Sequence, residues 1–206
     1  MKVLLINGSS REGCTYTALS EMCKVFADEG IDFEIINLGA APIRDCIGCK
    51  TCVKLGKCTF DDDLVNEVAE KAKSADAFVF GTPVYYAHPS GRLLSFLDRA
   101  FYSNSKNFAH KPATAIASAR RAGTTASLDA VMKHLSFNQM PIVSSTYWNV
   151  VHGNTPEEVT QDLEGMQTVR NAAKNMVWLL KCIKAGKDAG IDIPQNSKAD
   201  RTSFIR

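Results

Sequence analysis

Residues 3–15 read Val3-Leu4-Leu5-Ile6-Asn7-Gly8-Ser9-Ser10-Arg11-Glu12-Gly13-Cys14-Thr15. Four apolar residues in unbroken succession are the pattern of a strand buried on both faces, since a half-exposed strand alternates. The Gly/Ser segment after them is a turn. A helix then spans about 15–29, with Leu19, Met22, Cys23 and Phe26 at i, i+3, i+4 and i+7. Gly30 is a natural stop, and 33–38 reads as a second strand. Strand, helix and strand in this order favour a parallel sheet with a right-handed crossover.

The same alternation continues along the chain. A helix over 61–73 carries Leu64, Val65 and Val68 on its inner side. A strand over 77–80 ends at Gly81-Thr82-Pro83, and a helix over 90–102 turns Leu93, Leu94 and Leu97 inward. A strand over 114–118, a helix over 124–135, a strand over 141–147 and a helix over 156–184, with a break in it, complete the series. Five strands alternating with helices make one doubly wound α/β domain over 1–185, three layers thick. A cysteine-rich insertion occupies 39–60, and a polar, basic tail fills 186–206. The Phe204-Ile205 pair near the end of that tail favours docking over full solvation.

The chain has 206 residues and a formal charge of +2 with both signs mixed, so nothing points to a nucleic acid or an acidic membrane as partner. The apolar run at 3–6 is too short for a signal peptide, and no stretch approaches the roughly 20 apolar residues of a membrane span. The expected location is the cytoplasm. Thiols stay reduced there, and seven cysteines cannot all pair within one chain.

Two loops at the carboxyl ends of strands carry binding chemistry. Residues 7–15 place a turn and a helix N-terminus where open α/β sheets bind ligands. Ser9, Ser10 and Thr15 add hydroxyl donors, and Arg11 adds a fixed positive charge suited to a phosphate. Neither G-x-x-x-x-G-K-S/T nor G-x-G-x-x-G is present. A plain turn capped by Ser10 or Thr15 is the structural alternative. The second loop, 82–91, holds Tyr85-Tyr86 between Pro83 and Pro89, a stiff platform with flat faces for a ring system.

Taken together, G-S-S-R-x-G-x-T after the first strand, P-V-Y-Y after the third and S-A-R-R-A-G after the fourth resemble the flavodoxin-like NAD(P)H-dependent FMN reductase family over most of 1–150. The resemblance implies a sheet of order 2-1-3-4-5 with FMN across its rim. The phosphate would meet Ser9, Arg11, Cys14 and Thr15. The ring would lie along Pro83, Val84, Tyr85 and Tyr86, with Ala119, Arg120 and Gly123 on the other side. It further implies electrons from NAD(P)H, a small-molecule or protein acceptor, and a homodimer or homotetramer. Cys14 departs from the Asn or Ser usual in that family, leaving its backbone N–H as the better donor. No catalytic triad is expected, because the cofactor carries the chemistry. His88, near the expected ring, is a candidate proton donor or a plain surface histidine, and Arg120-Arg121 could meet a dinucleotide phosphate.

Cys46, Cys49, Cys52 and Cys58 are spaced C-x-x-C-x-x-C-x5-C. The motif resembles that of the iron–sulfur flavoproteins, a branch of the same family, and that resemblance implies a [4Fe–4S] cluster. Cuboidal clusters need four thiolates, and bacterial ferredoxins use a related run. Gly48 and Gly56 permit tight turns, and Lys50, Lys54 and Lys57 would offset anionic charge. Structural zinc, a reversible disulfide and an empty loop stay open as alternatives. Cys23 and Cys182 read as apolar fillers, and Trp148 as a candidate subunit contact. The functional expectation is an FMN-dependent oxidoreductase relaying electrons from NAD(P)H. A flavodoxin-type one-electron carrier and a redox sensor built on the cysteine loop are the alternatives.

Overall fold

In the computed structural model, which describes residues 1–200 and 202–204, the strands β1 (Lys2–Asn7), β2 (Asp32–Asn37), β3 (Ala77–Tyr85), β5 (Ala113–Ala119) and β6 (Val150–His152) pair in parallel in the order β2-β1-β3-β5-β6. A two-residue strand, β4 (His88–Pro89), folds back antiparallel on the end of β3. This is the doubly wound order expected. Val3, Leu4, Leu5 and Ile6 are fully buried, as an unbroken apolar run in a central strand requires.

Side chains alternate across β1, so it feeds two cores. Leu4 and Ile6 pack with Phe78, Phe80, Phe96 and Val131 beneath α3 (Val65–Lys71), α4 (Gly91–Asn104) and α5 (Thr124–Phe137). Val3 and Leu5 pack with Phe26, Val79 and Met176 beneath α1 (Cys14–Asp28) and α7 (Leu163–Asp188). A one-turn helix, α2 (Cys52–Leu55), lies in the cysteine segment, and α6 (Pro156–Gln161) precedes α7. Among the described residues, no helix is long and apolar enough to cross a membrane.

Four expectations are corrected. First, β3 continues through Pro83 to Tyr85 instead of ending at Gly81. Beyond Gly81 it has lost its β1 neighbour, so a residue without an N–H breaks no ladder on that side. Second, the last strand of the sheet is Val150–His152, and 141–147 contributes only a bridge between Ile142 and Ala113. The Asn149 side chain takes over there: its Nδ2 donates to Thr114 Oγ1 (2.8 Å) and to the Ala115 carbonyl (3.2 Å). Third, the helix expected over 61–73 starts only at Val65, whose N–H is taken by Asp63 Oδ1. Fourth, α7 runs to Asp188, past the expected start of the tail. Phe204 is exposed on this chain, and Ile205 lies outside the described residues.

The expected break in the last helix falls at Asp162. Its Oδ1 accepts from Gly165 N–H to cap α7, while Oδ2 accepts from the His152 N–H of β6.

Candidate functional site

The carboxyl ends of β1 and β3 approach each other closely. Gly8 N–H donates to the Gly81 carbonyl (2.8 Å), and Ser90 Oγ, the N-cap of α4, donates to the Gly8 carbonyl (2.7 Å). A Cβ on Gly8 would stand 2.8 Å from Gly81 O, and one on Gly81 would stand 2.8 Å from Thr15 Cγ2. Only glycine fits at either position. The loop is then wound round Asn7, which is fully buried. Asn7 Oδ1 accepts from Ser9 N–H, and its Nδ2 donates to the Arg11 carbonyl and to Asn37 Oδ1. Asn7 thus ties down the Ser9 N–H and the Arg11 carbonyl of the loop.

What faces outward is a helix N-terminus and a cation. The N-cap of α1 is Gly13, which offers no side-chain acceptor to the first-turn N–H groups. Arg11 stands exposed beside it. Thr15 is buried, and its hydroxyl pairs with Ser118 Oγ at 2.7 Å. One hydroxyl hydrogen makes that bond, so the pair keeps a second O–H to donate.

These elements border a cavity of about 180 Å³ lined by Ser9, Arg11, Cys14, Thr15, Pro83, Val84, Tyr85, Ser118, Ala119, Arg120, Gly153 and Asn154. Most of the residues expected to meet a phosphate and a ring are therefore in one place. Two are not in its lining. Tyr86 sits at the tip of the β3–β4 turn, fully exposed and with φ +60°. Gly123 caps α5 with φ +88°, and a Cβ there would meet Val84 Cγ1 at 2.8 Å, so it seats the hairpin. His88 lies on β4 opposite Tyr85, outside the lining.

Sequence reasoning missed Asn7, Ser118, Gly153 and Asn154. The Val150-Val151 pair followed by Gly153-Asn154 was the available signal for the last two. Gly153 N–H donates to the Ala119 carbonyl, and the Cys14 thiol donates to the Gly153 carbonyl at 3.6 Å. Partial burial pushes the Cys14 thiol above its usual range, so it stays protonated and brings no negative charge to the loop. Partial burial also raises the Tyr85 phenol, but hydrogen bonds with Ser10 and Ser9 and the charge of Arg11 outweigh it and leave it below its usual value. Tyr85 thus leans on the phosphate-loop side of the cavity.

The cavity fits the phosphate end of a flavin nucleotide. A cation, unpaired helix N–H groups and a spare hydroxyl converge on it. Its volume falls short of the roughly 300–1,000 Å³ that encloses a whole ligand. Val84 and Tyr85, at the β3 end of the lining, are the residues that would meet a ring.

The cysteine segment forms a second pocket. Cys46, Cys49, Cys52 and Cys58 all line it, beside Lys50, Phe60, Arg99 and Tyr102. Gly48, Gly56 and, with it, Lys50 adopt positive φ, which wraps the chain round the pocket. Burial raises the Cys52 thiol, and the neighbouring Cys49, Cys58 and Cys46 add to the rise. The Thr51 hydroxyl and backbone N–H hold the Cys49 thiol below its usual range. All four are free thiols, and among the described residues no group of three or more His, Cys, Asp or Glu stands poised to hold a metal ion. Four thiols about one pocket, with a buried guanidinium donating to one of them, is the donor chemistry of an iron–sulfur cluster. Of the lysines expected to balance charge, Lys57 is paired with Asp61 at 2.7 Å. The buried cation is Arg99 instead, an arginine in the apolar stripe of α4.

Comparison with known proteins gives a family and a fold. Residues 1–155 match the sequence model of the family described as NADPH-dependent FMN reductase. An iron–sulfur flavoprotein of Methanocaldococcus jannaschii is 32% identical over 196 residues, covering 89% of this chain and 100% of that one. Among solved structures, RosB with bound 8-demethyl-8-formylriboflavin-5'-phosphate superposes with a TM-score of 0.64 at 16% identity, over 100% of this chain and 96% of that one. A flavodoxin from the domain Archaea gives 0.60 at 12% identity, over 88% and 99%. At such identities the likeness is one of fold, and the fold is flavodoxin-like.

Proposed function

Because the chain belongs to the NADPH-dependent FMN reductase family, among its iron–sulfur flavoproteins, we propose that this FMN-dependent oxidoreductase takes its electrons from NAD(P)H and passes them to a small-molecule or protein acceptor through a [4Fe–4S] cluster on Cys46, Cys49, Cys52 and Cys58. The observation that carries the reading is the meeting of three loops, remote in sequence, in one anion-receptive cavity.

FMN, when bound, supplies a ring that accepts a hydride from a nicotinamide and gives electrons up singly, and a cluster supplies a one-electron relay. The chain's own residues do the rest. Arg11, the first-turn N–H groups of α1 and the spare O–H of the Thr15–Ser118 pair would receive the phosphate. Ser9 holds the turn, its Oγ accepting from Arg11 N–H. Cys14, kept neutral, avoids repelling the phosphate. Pro83, Val84, Tyr85 and Tyr86 would support one side of a bound ring, and Ala119, Arg120 and the turn before Gly123 would line the other. A cavity this small would leave one face of a bound ring open, which favours completion by a second subunit in a homodimer or homotetramer. The proposed setting is the cytoplasm, where reduced thiols and NAD(P)H coexist.

The test is anaerobic reconstitution with FMN, iron and sulfide. Bound FMN, iron content and oxidation of NADH and NADPH with a quinone acceptor are then measured. Arg11→Ala should weaken FMN binding roughly ten- to hundredfold, the loss of a charge-assisted hydrogen bond worth about 1.5–3 kcal/mol. Failure to bind FMN, or binding indifferent to Arg11, refutes the reading.

A further inference from the structure

Arg99 is about 1% exposed, and it is among the largest fully buried side chains of the protein. A buried guanidinium must spend its five donors on fixed partners. Arg99 forms an ion pair with Asp63, itself buried, and donates to the Phe60 carbonyl at 3.0 Å and the Arg44 carbonyl at 3.3 Å. Its Nε–H is directed at Cys58 Sγ, 3.3 Å away. The ring of Phe60 lies under it, 5.4 Å from the guanidinium carbon.

Cys58 is held from the other side as well. Its N–H donates to Asn66 Oδ1 at 2.9 Å, and Asn66 Nδ2 donates back to the Cys58 carbonyl at 2.9 Å. The Cys58 backbone is therefore clamped by one side chain and its sulfur by another. Cys46 and Cys49 are exposed by contrast, and Cys49 is met by its neighbour Thr51, with no buried cation beside it among the described residues. Asp63 is tied down in turn, because its Oδ1 caps α3 by accepting from Val65 N–H. The arrangement aims one fixed positive charge at one of the four sulfurs.

We propose that Arg99 is a positioning residue for the cysteine loop: its Nε–H fixes the Cys58 sulfur as the stationary ligand, and its charge favours the electron-richer state of the group held there. The proposal rests on the reading of the loop as a cluster site. A hydrogen bond from a cation to a ligand sulfur stabilises added negative charge, so it raises the reduction potential. A merely structural Arg99, by contrast, would secure the loop on α4 without touching the potential.

The experiment compares wild type, Arg99→Lys and the double variant Arg99→Met with Asp63→Asn. The double variant removes one charge of each sign, so the net charge is unchanged and no buried ion is orphaned. After anaerobic reconstitution, the midpoint potential is measured by titration followed by visible and EPR spectra, with iron assayed in parallel. The reduction equilibrium is expected to fall about tenfold in the double variant, a shift of roughly 59 mV for one electron. Arg99→Lys keeps the charge but loses the aimed N–H, so it should fall by less. Midpoints equal to wild type in both variants overturn the proposal, whether iron content holds or drops.

A second measurement needs no cluster. In the iron-free full-length protein, Cys58 is alkylated with anionic iodoacetate and with neutral iodoacetamide, and the sites are mapped by mass spectrometry. The iodoacetate-to-iodoacetamide ratio at Cys58 should drop severalfold in the double variant while that at Cys49 holds. Arg99→Lys gives a smaller drop and decides the matter should the double variant not fold. An unchanged ratio at Cys58 overturns the proposal. A wild type that takes up no iron refutes the cluster reading alone, and the alkylation ratio then decides the role of Arg99.

Discussion

Gly8→Ala tests whether the end of β1 is as tightly packed as the site requires. A Cβ at Gly8 would stand 2.8 Å from Gly81 O and 2.9 Å from Leu93 Cβ, where ordinary contact begins near 3.4 Å. Neither neighbour can yield cheaply. Gly81 is backbone in the buried part of β3, and Leu93 Cβ is fixed by α4 in the core. Relief requires the strand end to move by about half an ångström, and overpacking of this kind costs about 1–3 kcal/mol. The same displacement lengthens the 2.8 Å bond from Gly8 N–H to Gly81 O, which adds up to about 1 kcal/mol. We therefore expect a loss in the upper half of that range, together with weaker FMN binding because the turn carries Ser9 and Arg11. Gly91→Ala is the control. It makes the same chemical change in the first turn of α4, where a new Cβ meets nothing within 4 Å. There the expected effect is a gain of about 0.5 kcal/mol, from reduced freedom of the unfolded chain. Urea unfolding of both variants, with the slope checked for constancy, measures the difference. A Gly8→Ala protein within about 0.5 kcal/mol of wild type would refute the reasoning.

Three further outcomes follow from the same structure. Asn149→Ala should cost about 1–3 kcal/mol by urea unfolding, since the buried Ala115 carbonyl and Thr114 hydroxyl lose their shared donor. Hydrogen bonds from Lys2 and Lys71 hold the Glu34 carboxyl below its ordinary 4.5, so its contribution to stability is present above that pH and is lost as pH falls through the depressed value. Unfolding midpoints measured from about pH 5 to 3 should therefore decline less steeply in Glu34→Gln than in wild type. In the iron-free protein, brief iodoacetamide treatment near neutral pH should modify exposed Cys49 first and spare Cys23, whose thiol burial pushes up to about 12. Labelling of Cys23 at the rate of Cys49 in the folded state would contradict that placement.

The parts of the fold legible beforehand are those whose signal is local. The run at 3–6 declares a central strand because burial on both faces leaves no room for alternation. The spacing of Cys46, Cys49, Cys52 and Cys58 declares a shared pocket because so short a segment has little choice. What escaped depends on neighbours. Pro83 looks like a strand terminator, and it is tolerated because β1 has already ended beside it. Pro141-Ile142-Val143 looks like a strand, yet the sheet edge beyond its single bridge is completed by the side chain of Asn149. Arg99 lies in the apolar stripe of α4 with no local sign of a partner. Its burial depends on Asp63, thirty-six residues away, being turned toward it.

The two pockets are joined by α4. At its N-terminus, Ser90 Oγ donates to the Gly8 carbonyl and also caps the helix by accepting from Leu93 N–H. Further along, Arg92 donates to the Ala40 carbonyl, Ser95 donates to Asp45, and Arg99 reaches Arg44, Phe60 and Cys58. One helix therefore anchors the phosphate loop by its cap and the cysteine loop by successive turns. Nine residues at 1.5 Å each separate Ser90 from Arg99, so the two anchors stand about 14 Å apart along the axis. A hydrogen-bonded helix holds such a spacing far more rigidly than two loops could. The long segment 39–60, which carries little regular structure of its own, is thus tied to α4 at several points. This explains why the fourth cysteine, Cys58, is the one gripped by a buried cation. It lies where the segment returns to the helix, and that contact fixes the distance from the thiols to the rim of the sheet.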